Sequence, residues 1–264
     1  ATRDLSDPAL VHLVLSNSLV NNTTYNLIAT NIEDLASNII AAASNINFSY
    51  IVAAAAQFRD VIINEIYTDQ TPMVALPNAE FVEVYNRSTN AVNLNGWKIA
   101  DPTTNGTIGN YTILPGEYLI LCANADTALY QSFGNVEGVT SWPSLNNASD
   151  RLFLKTDLGD FIDSVSYIDT WYQDAIKEVG GWTLELINPS IASNCAGGGN
   201  WIASNHPSGG TPGQVNSVFN GSIDNTPPQI LGIETPNANT LNVCFSEPIN
   251  PSLLGSSNFS INNG

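Results

Sequence analysis

The sequence predicts an all-β protein organised around a β-sandwich. Three observations point there. Short apolar runs recur along the chain, turn chemistry separates them, and helical periodicity is scarce. Val11–Leu15, Val61–Tyr67, Phe81–Tyr85, Tyr118–Cys122, Arg151–Lys155 and Phe161–Tyr167 are rich in Val, Ile, Leu, Phe and Tyr, and several alternate apolar with polar residues. Many short strands at such spacing build a sandwich or a barrel.

Turns follow from residue type. Leu94-Asn95-Gly96 makes a tight turn before Trp97, which is expected to plug the core. Pro115-Gly116 reads as a type II turn leading into Tyr118–Leu121, a fully buried strand. Asp157-Leu158-Gly159 joins two strands as a hairpin. Phe81-Val82-Glu83-Val84-Tyr85 mixes both faces, which predicts a central strand covered on both sides. Helix is expected only over Asp126–Phe133, with Asp126 as cap, and as one turn over Ile32–Asn38.

Punctuation divides the chain. Residues 1–50 are strand-rich. Residues 51–59, with the run Ala53–Ala56, read as a linker. Residues 60–219 form the main block and close on Gly209-Gly210-Thr211-Pro212-Gly213. Residues 220–264 open a new strand region after Thr226-Pro227-Pro228. Residue 1 is not Met and enters mid-pattern, so the sequence reads as a piece of a longer protein.

Composition narrows the function classes. There are 24 acidic and 7 basic residues, for a net charge of −17. Such a surface repels phosphate backbones and anionic lipid, which argues against nucleic-acid partners. The longest apolar stretch, near Ile51–Ala56, is too short to span a bilayer, so no membrane insertion is expected. The balance suits a secreted or cell-surface protein.

Candidate sites are few. Glu65 and Glu83 lie on the first two strands of the main block. If those strands pair, the two carboxylates are close enough to share Ca²⁺ through hard oxygen ligands; otherwise they form a solvated acidic face, or one carboxylate accepts backbone hydrogen bonds at a loop. Trp142, Trp171 and Tyr172 sit in polar surroundings and are either glycan-contacting aromatics or anchors packed on the sandwich. Three cysteines fit no zinc spacing. They read as three packed thiols, or as a Cys122–Cys195 bridge with Cys244 left over. His206 lies in a loop and His12 in a strand pattern, and no nucleophile elbow or phosphate loop accompanies either. No catalytic constellation is therefore assigned.

Seven motifs in register from Val61 to Ser217 carry a resemblance. They include VIINEIY, EFVEVYN, Leu94-Asn95-Gly96-Trp97, Leu114-Pro115-Gly116-Glu117, Gly181-Trp182 and the closing GGTPG. This series resembles the lamin-tail domain family in its bacterial form, which implies a compact Ig-like β-sandwich. Thr23–Leu27, Asp34-Leu35-Ala36-Ser37-Asn38 and Phe48 are similar to the C-terminal half of a bacterial Ig-like repeat of the S-layer type. Residues 224–259 are similar to its N-terminal half. The resemblance implies a second Ig-like sandwich, assembled from the two terminal segments within one chain or between chains. The expected role is a non-catalytic adhesion or spacer module, with a protein or a cell-surface glycan as partner. An accessory domain of a secreted hydrolase or nuclease, or a carbohydrate-binding module, is the alternative.

Overall fold

A computed structural model describes residues 1–21, 23–40, 44–191, 198–222, 225, 227–246, 249 and 253–262. The chain divides into two units, Ala1–Ala53 and Ala54–Gly264.

The first unit holds two antiparallel strand pairs. The short strands β1 (Thr2–Arg3) and β2 (Val11–His12) pair, as do β3 (Thr23–Ala29) and β4 (Ser44–Tyr50). The expected strand over Val11–Leu15 is thus only two residues long. The helical turn expected over Ile32–Asn38 is absent. Instead the Asp34 carboxylate accepts the N–H groups of Ala36 and Asn38, each at 2.8 Å. A short acidic side chain that captures local backbone donors competes with helix.

The second unit contains the sandwich. Its strands are β5 (Val61–Tyr67), β6 (Phe81–Asn86), β7 (Val92–Asn93), β8 (Lys98–Ala100), β9 (Asn105–Ile108), β10 (Thr112–Ile113) and β11 (Tyr118–Ala123). A short helix α1 (Thr127–Tyr130) follows, then β12 (Val136–Thr140), β13 (Ser149–Lys155), β14 (Phe161–Ile168), β15 (Leu184–Leu186) and β16 (Trp201–Ala203). A final hairpin, β17 (Ile230–Asn237) and β18 (Thr240–Phe245), forms its own two-stranded sheet.

Ten strands hydrogen-bond in the order β14-β13-β8-β9-β12-β11-β6-β5-β15-β16. The pair β11–β12 is parallel. It needs a crossover, and α1 lies in that connection. Asp126 precedes α1, but its side chain makes no capping bond. The sheet curls so that β14 comes beside β5: Ile162 accepts the N–H of Arg59 at 2.8 Å, and the Asp163 carboxylate accepts the N–H of Ile63 at 2.9 Å. The result is an Ig-like sandwich.

Several turn and strand expectations hold. Strand β6 lies between β11 and β5; of the run Tyr118–Leu121, Leu119, Ile120 and Leu121 are fully buried, whereas Tyr118 is half-buried. Glu117 N–H bonds Leu114 C=O at 3.1 Å across the Pro115-Gly116 turn. Trp97 is buried in the main core with Ile63, Val84, Leu121 and Leu152. A second core lies around Tyr67, Phe81, Ile120, Cys122 and Tyr130.

Candidate functional site

The largest buried polar cluster centres on three glutamates. In β5, Asn64 bulges out of the β5–β6 ladder: Ile63 pairs with Val84, and the next pair is Glu65 with Glu83. One extra residue reverses which face the following side chains take. Glu65 therefore falls on the Glu83 side of the sheet instead of joining Ile63 in the main core. On the other flank, β15 pairs Glu185 directly with Glu65. Glu83, Glu65 and Glu185 thus form one row across three neighbouring strands, and all three are fully buried.

One segment, Thr211–Val218, straps this row. Thr211 donates its backbone N–H to Glu65 Oε1 at 2.8 Å and its hydroxyl to Glu185 Oε1 at 2.9 Å. Gly213 N–H donates to Glu83 Oε2. Ser217 Oγ and Val218 N–H both donate to Glu185 Oε2, at 2.7 and 3.1 Å. Thr183 Oγ1 donates to Glu65 Oε1 at 2.6 Å, and Asn64 Nδ2 to Glu83 Oε1 at 2.9 Å. Asn216 ties the strap to the sheet through Leu186 C=O at 2.8 Å and Asn64 C=O at 3.0 Å.

The GGTPG motif has a steric role here. A Cβ on Gly210 would meet Glu65 Oε1 at 2.7 Å. Gly213 has φ +78°, and a Cβ there would meet Phe133 C=O at 2.4 Å. Both positions need glycine for the strap to lie against the carboxylates. The sequence marked this motif as the end of a domain. That it also clamps three buried acids was not legible, because Glu83 lies 130 positions before Gly213 and Glu65 lies 146 before Thr211.

Electrostatics follow from the burial. Desolvation, and then the neighbouring charges of Glu83 and Glu185, push Glu65 well above the usual carboxylate range. Burial also pushes Glu83 up to about 8, against the opposing bonds from Gly213 and Asn64. Among the described residues, Glu65 Oε2 has no hydrogen-bond partner.

The strands do bring Glu65 and Glu83 together, as the Ca²⁺ reading required. The donor set does not suit a cation. N–H and O–H groups already point at the other oxygens of the row, and those bonds use the lone pairs a hard cation needs. Among the described residues, no group of three or more His, Cys, Asp or Glu is arranged to hold a metal ion. Of the alternatives, the solvated acidic face is overturned, since burial removes both residues from water; Glu65 and Glu83 instead accept backbone N–H groups of a loop, from Thr211 and Gly213.

The aromatic candidates go inward. Trp171 and Tyr172 are 7% and 4% exposed and belong to the main core. A Cβ on Gly198 would meet the Trp171 ring at 2.6 Å, and Tyr172 OH donates to Trp182 C=O at 3.2 Å. Trp142 is half-buried against the same core, and its Nε1 donates to Glu80 Oε2 at 2.8 Å. Of the two readings of these rings, anchors packed on the sandwich is the one that holds for Trp171 and Tyr172. As ligand-contacting surface aromatics, Trp171 and Tyr172 are corrected.

Neither cysteine reading survives. Cys122 is a free thiol buried in the second core. This excludes a Cys122–Cys195 bridge, and Cys195 itself lies outside the described residues. Cys244 is disulfide-bonded, so the three-thiol alternative fails too. His206 Nδ1 contacts Ser208 Oγ at 2.6 Å within a surface loop.

Comparison with known proteins yields little beyond the fold. No curated protein matches. A solved structure of a DUF4876 family protein from Bacteroides thetaiotaomicron VPI-5482 is similar, with a TM-score of 0.34 and 12% identity over 70% of this chain and 80% of that chain. Residues 54–169 match the family model of the Lamin Tail Domain. The sandwich from β5 through β14 is thus the part of this chain that matches the lamin tail domain family, and β15, β16 and the strap extend the same sheet beyond the match.

Proposed function

We propose that this chain is a non-catalytic structural and interaction module, an adhesion or spacer element of a secreted or cell-surface bacterial protein. One observation carries the reading. The largest buried polar network, Glu65, Glu83 and Glu185, is consumed in holding the strap closed, with all three carboxylates out of reach of solvent. An Ig-like lamin tail domain fits such a module. The carbohydrate-binding alternative through Trp171 and Tyr172 loses its residues to the core.

The terminal hairpins extend the proposal. Leu27, Ile28, Ile46 and Phe48 on β3–β4 are exposed, as are Ile230, Leu231, Ile233 and Leu241 on β17–β18. Isolated two-stranded sheets are marginal in water. The reading is that they are halves of Ig-like repeats, completed within a chain or by a neighbour.

Labelling intact cells of the source with antibody against this chain tests the location. Surface labelling, with reduced attachment when the gene is deleted, is the expected result. Signal confined to the cytoplasm, or hydrolysis of a glycan or nucleic acid by the purified chain, overturns the reading.

A further inference from the structure

In a protein of net charge −17, the basic residues are few enough that their placement is informative. Of seven, three lie on one sheet face. Leu152 and Leu154 point into the main core, so Arg151, Phe153 and Lys155 alternate outward along β13. Lys98 on β8 pairs with Lys155, and Phe161 on β14 pairs with Lys155 from the other side. Two lysines and a phenylalanine therefore form one row across three strands.

These cations lack acidic partners. Carboxylates outnumber bases by more than three to one, yet among the described residues the ion pairs are His12–Asp4 and Arg59–Asp163. The three bases contact aromatic rings and a hydroxyl instead. Lys155 Nζ lies 4.8 Å from the ring centres of both Phe153 and Phe161. Arg151 Cζ lies 4.8 Å from the centre of Phe153, and Lys98 Nζ donates to Thr107 Oγ1 at 2.6 Å. Ring contact leaves the positive charge available to an incoming anion. Phe161 is 56% exposed, and the neighbouring Ser164 and Ser166 present their side chains to solvent.

We propose that this face binds an anionic glycan, a polymer carrying carboxylate or sulfate groups on sugar rings. Lys98, Arg151 and Lys155 take the acidic groups, the Phe161 ring takes the apolar face of a sugar, and Ser164 and Ser166 bond sugar hydroxyls. The spacing favours sparse charge. Four residues of strand separate Arg151 from Lys155 by about 13 Å. Duplex nucleic acid carries a charge every ~1.7 Å, far denser than this spacing. An extended acidic peptide prefers a free strand edge. Here the outer edge of β14 is occupied at its start, where Ile162 and Asp163 bond Arg59 and Ile63.

Affinity electrophoresis of the full chain tests it. The gels contain polygalacturonate, chondroitin sulfate, neutral dextran or poly-L-glutamate. Retardation by one or both acidic glycans is expected, with none by dextran and less by poly-L-glutamate. It should vanish in about 1 M NaCl, where screening acts within ~3 Å. The double variant R151Q/K155Q should bind at least about tenfold more weakly, roughly 1.4 kcal/mol, and R3Q, outside the patch, should bind as the parent does. Melting curves establish that the variants are folded, and K98Q serves if the double variant is not. No retardation by either glycan, equal retardation by poly-L-glutamate, or undiminished binding by the folded variants overturns the proposal.

Discussion

Thr211 reaches Glu65 with its backbone N–H, at 2.8 Å, although the two residues are 146 positions apart. Its hydroxyl continues to Glu185 Oε1 at 2.9 Å. One residue of the strap thus joins two adjacent strands of the sheet.

Replacing Thr211 with Val removes the hydroxyl and keeps the shape. Glu185 Oε1 is then left without that donor in a buried setting, a loss of about 1–3 kcal/mol. Chemical denaturation measures it. Proteolysis within 211–218 should also quicken, because the backbone bonds then hold the strap with less help.

The row of acids sets an unusual pH response. A carboxyl whose folded pKa is raised binds its proton more tightly in the native state than in the unfolded chain. Its contribution is fully present below the unfolded value and is lost as pH rises through the folded one. For Glu83 that window runs from the ordinary 4.5 to about 8. Burial pushes Asp163 up as well, to about 6, so it acts in the same direction. Stability should therefore fall between about pH 4.5 and 8, and Glu83→Gln should flatten the slope. Denaturant midpoints across this range decide it; a rise with pH would contradict the assignment.

Asp163 closes the sandwich between β14 and β5. It accepts Ile63 N–H at 2.9 Å and faces the Arg59 guanidinium at 3.6 Å. Burial is the largest influence on both partners: it lowers Arg59 and raises Asp163 despite their attraction. Asp163→Ala strands a buried cation and should cost about 3–5 kcal/mol. The loss should appear as a lower melting temperature of the sandwich.

Trp171 tests the correction to the aromatic reading. Trp171→Ala should destabilise by about 3–5 kcal/mol through cavity formation. A fully stable variant with altered glycan binding would restore the surface-ligand reading.

Cys122 should be inert in the folded protein. Burial pushes its thiol up to about 12, so little thiolate forms at neutral pH. Mass mapping after treatment with a thiol reagent should find Cys122 unlabelled in buffer and labelled in denaturant.

By itself the sequence determined the main strands and turns of the sandwich, because alternation, Pro-Gly chemistry and motif order are local signals read within a few residues. The runs Val61–Tyr67 and Phe81–Tyr85 fall within the observed strands, and Trp97 fills the core. Glu65 and Glu83 were legible as neighbours only on the condition that their strands pair. The tertiary structure alone decided their environment. The bulge at Asn64 turns Glu65 to the Glu83 side, and Glu185 and Thr211 arrive from far along the chain to enclose both. Burial, and with it the protonation state, depends on what packs over a side chain. The sequence left open whether Trp171 is a surface aromatic or a packed anchor and whether Glu83 is solvated or bonded by a loop, and long-range packing decided both.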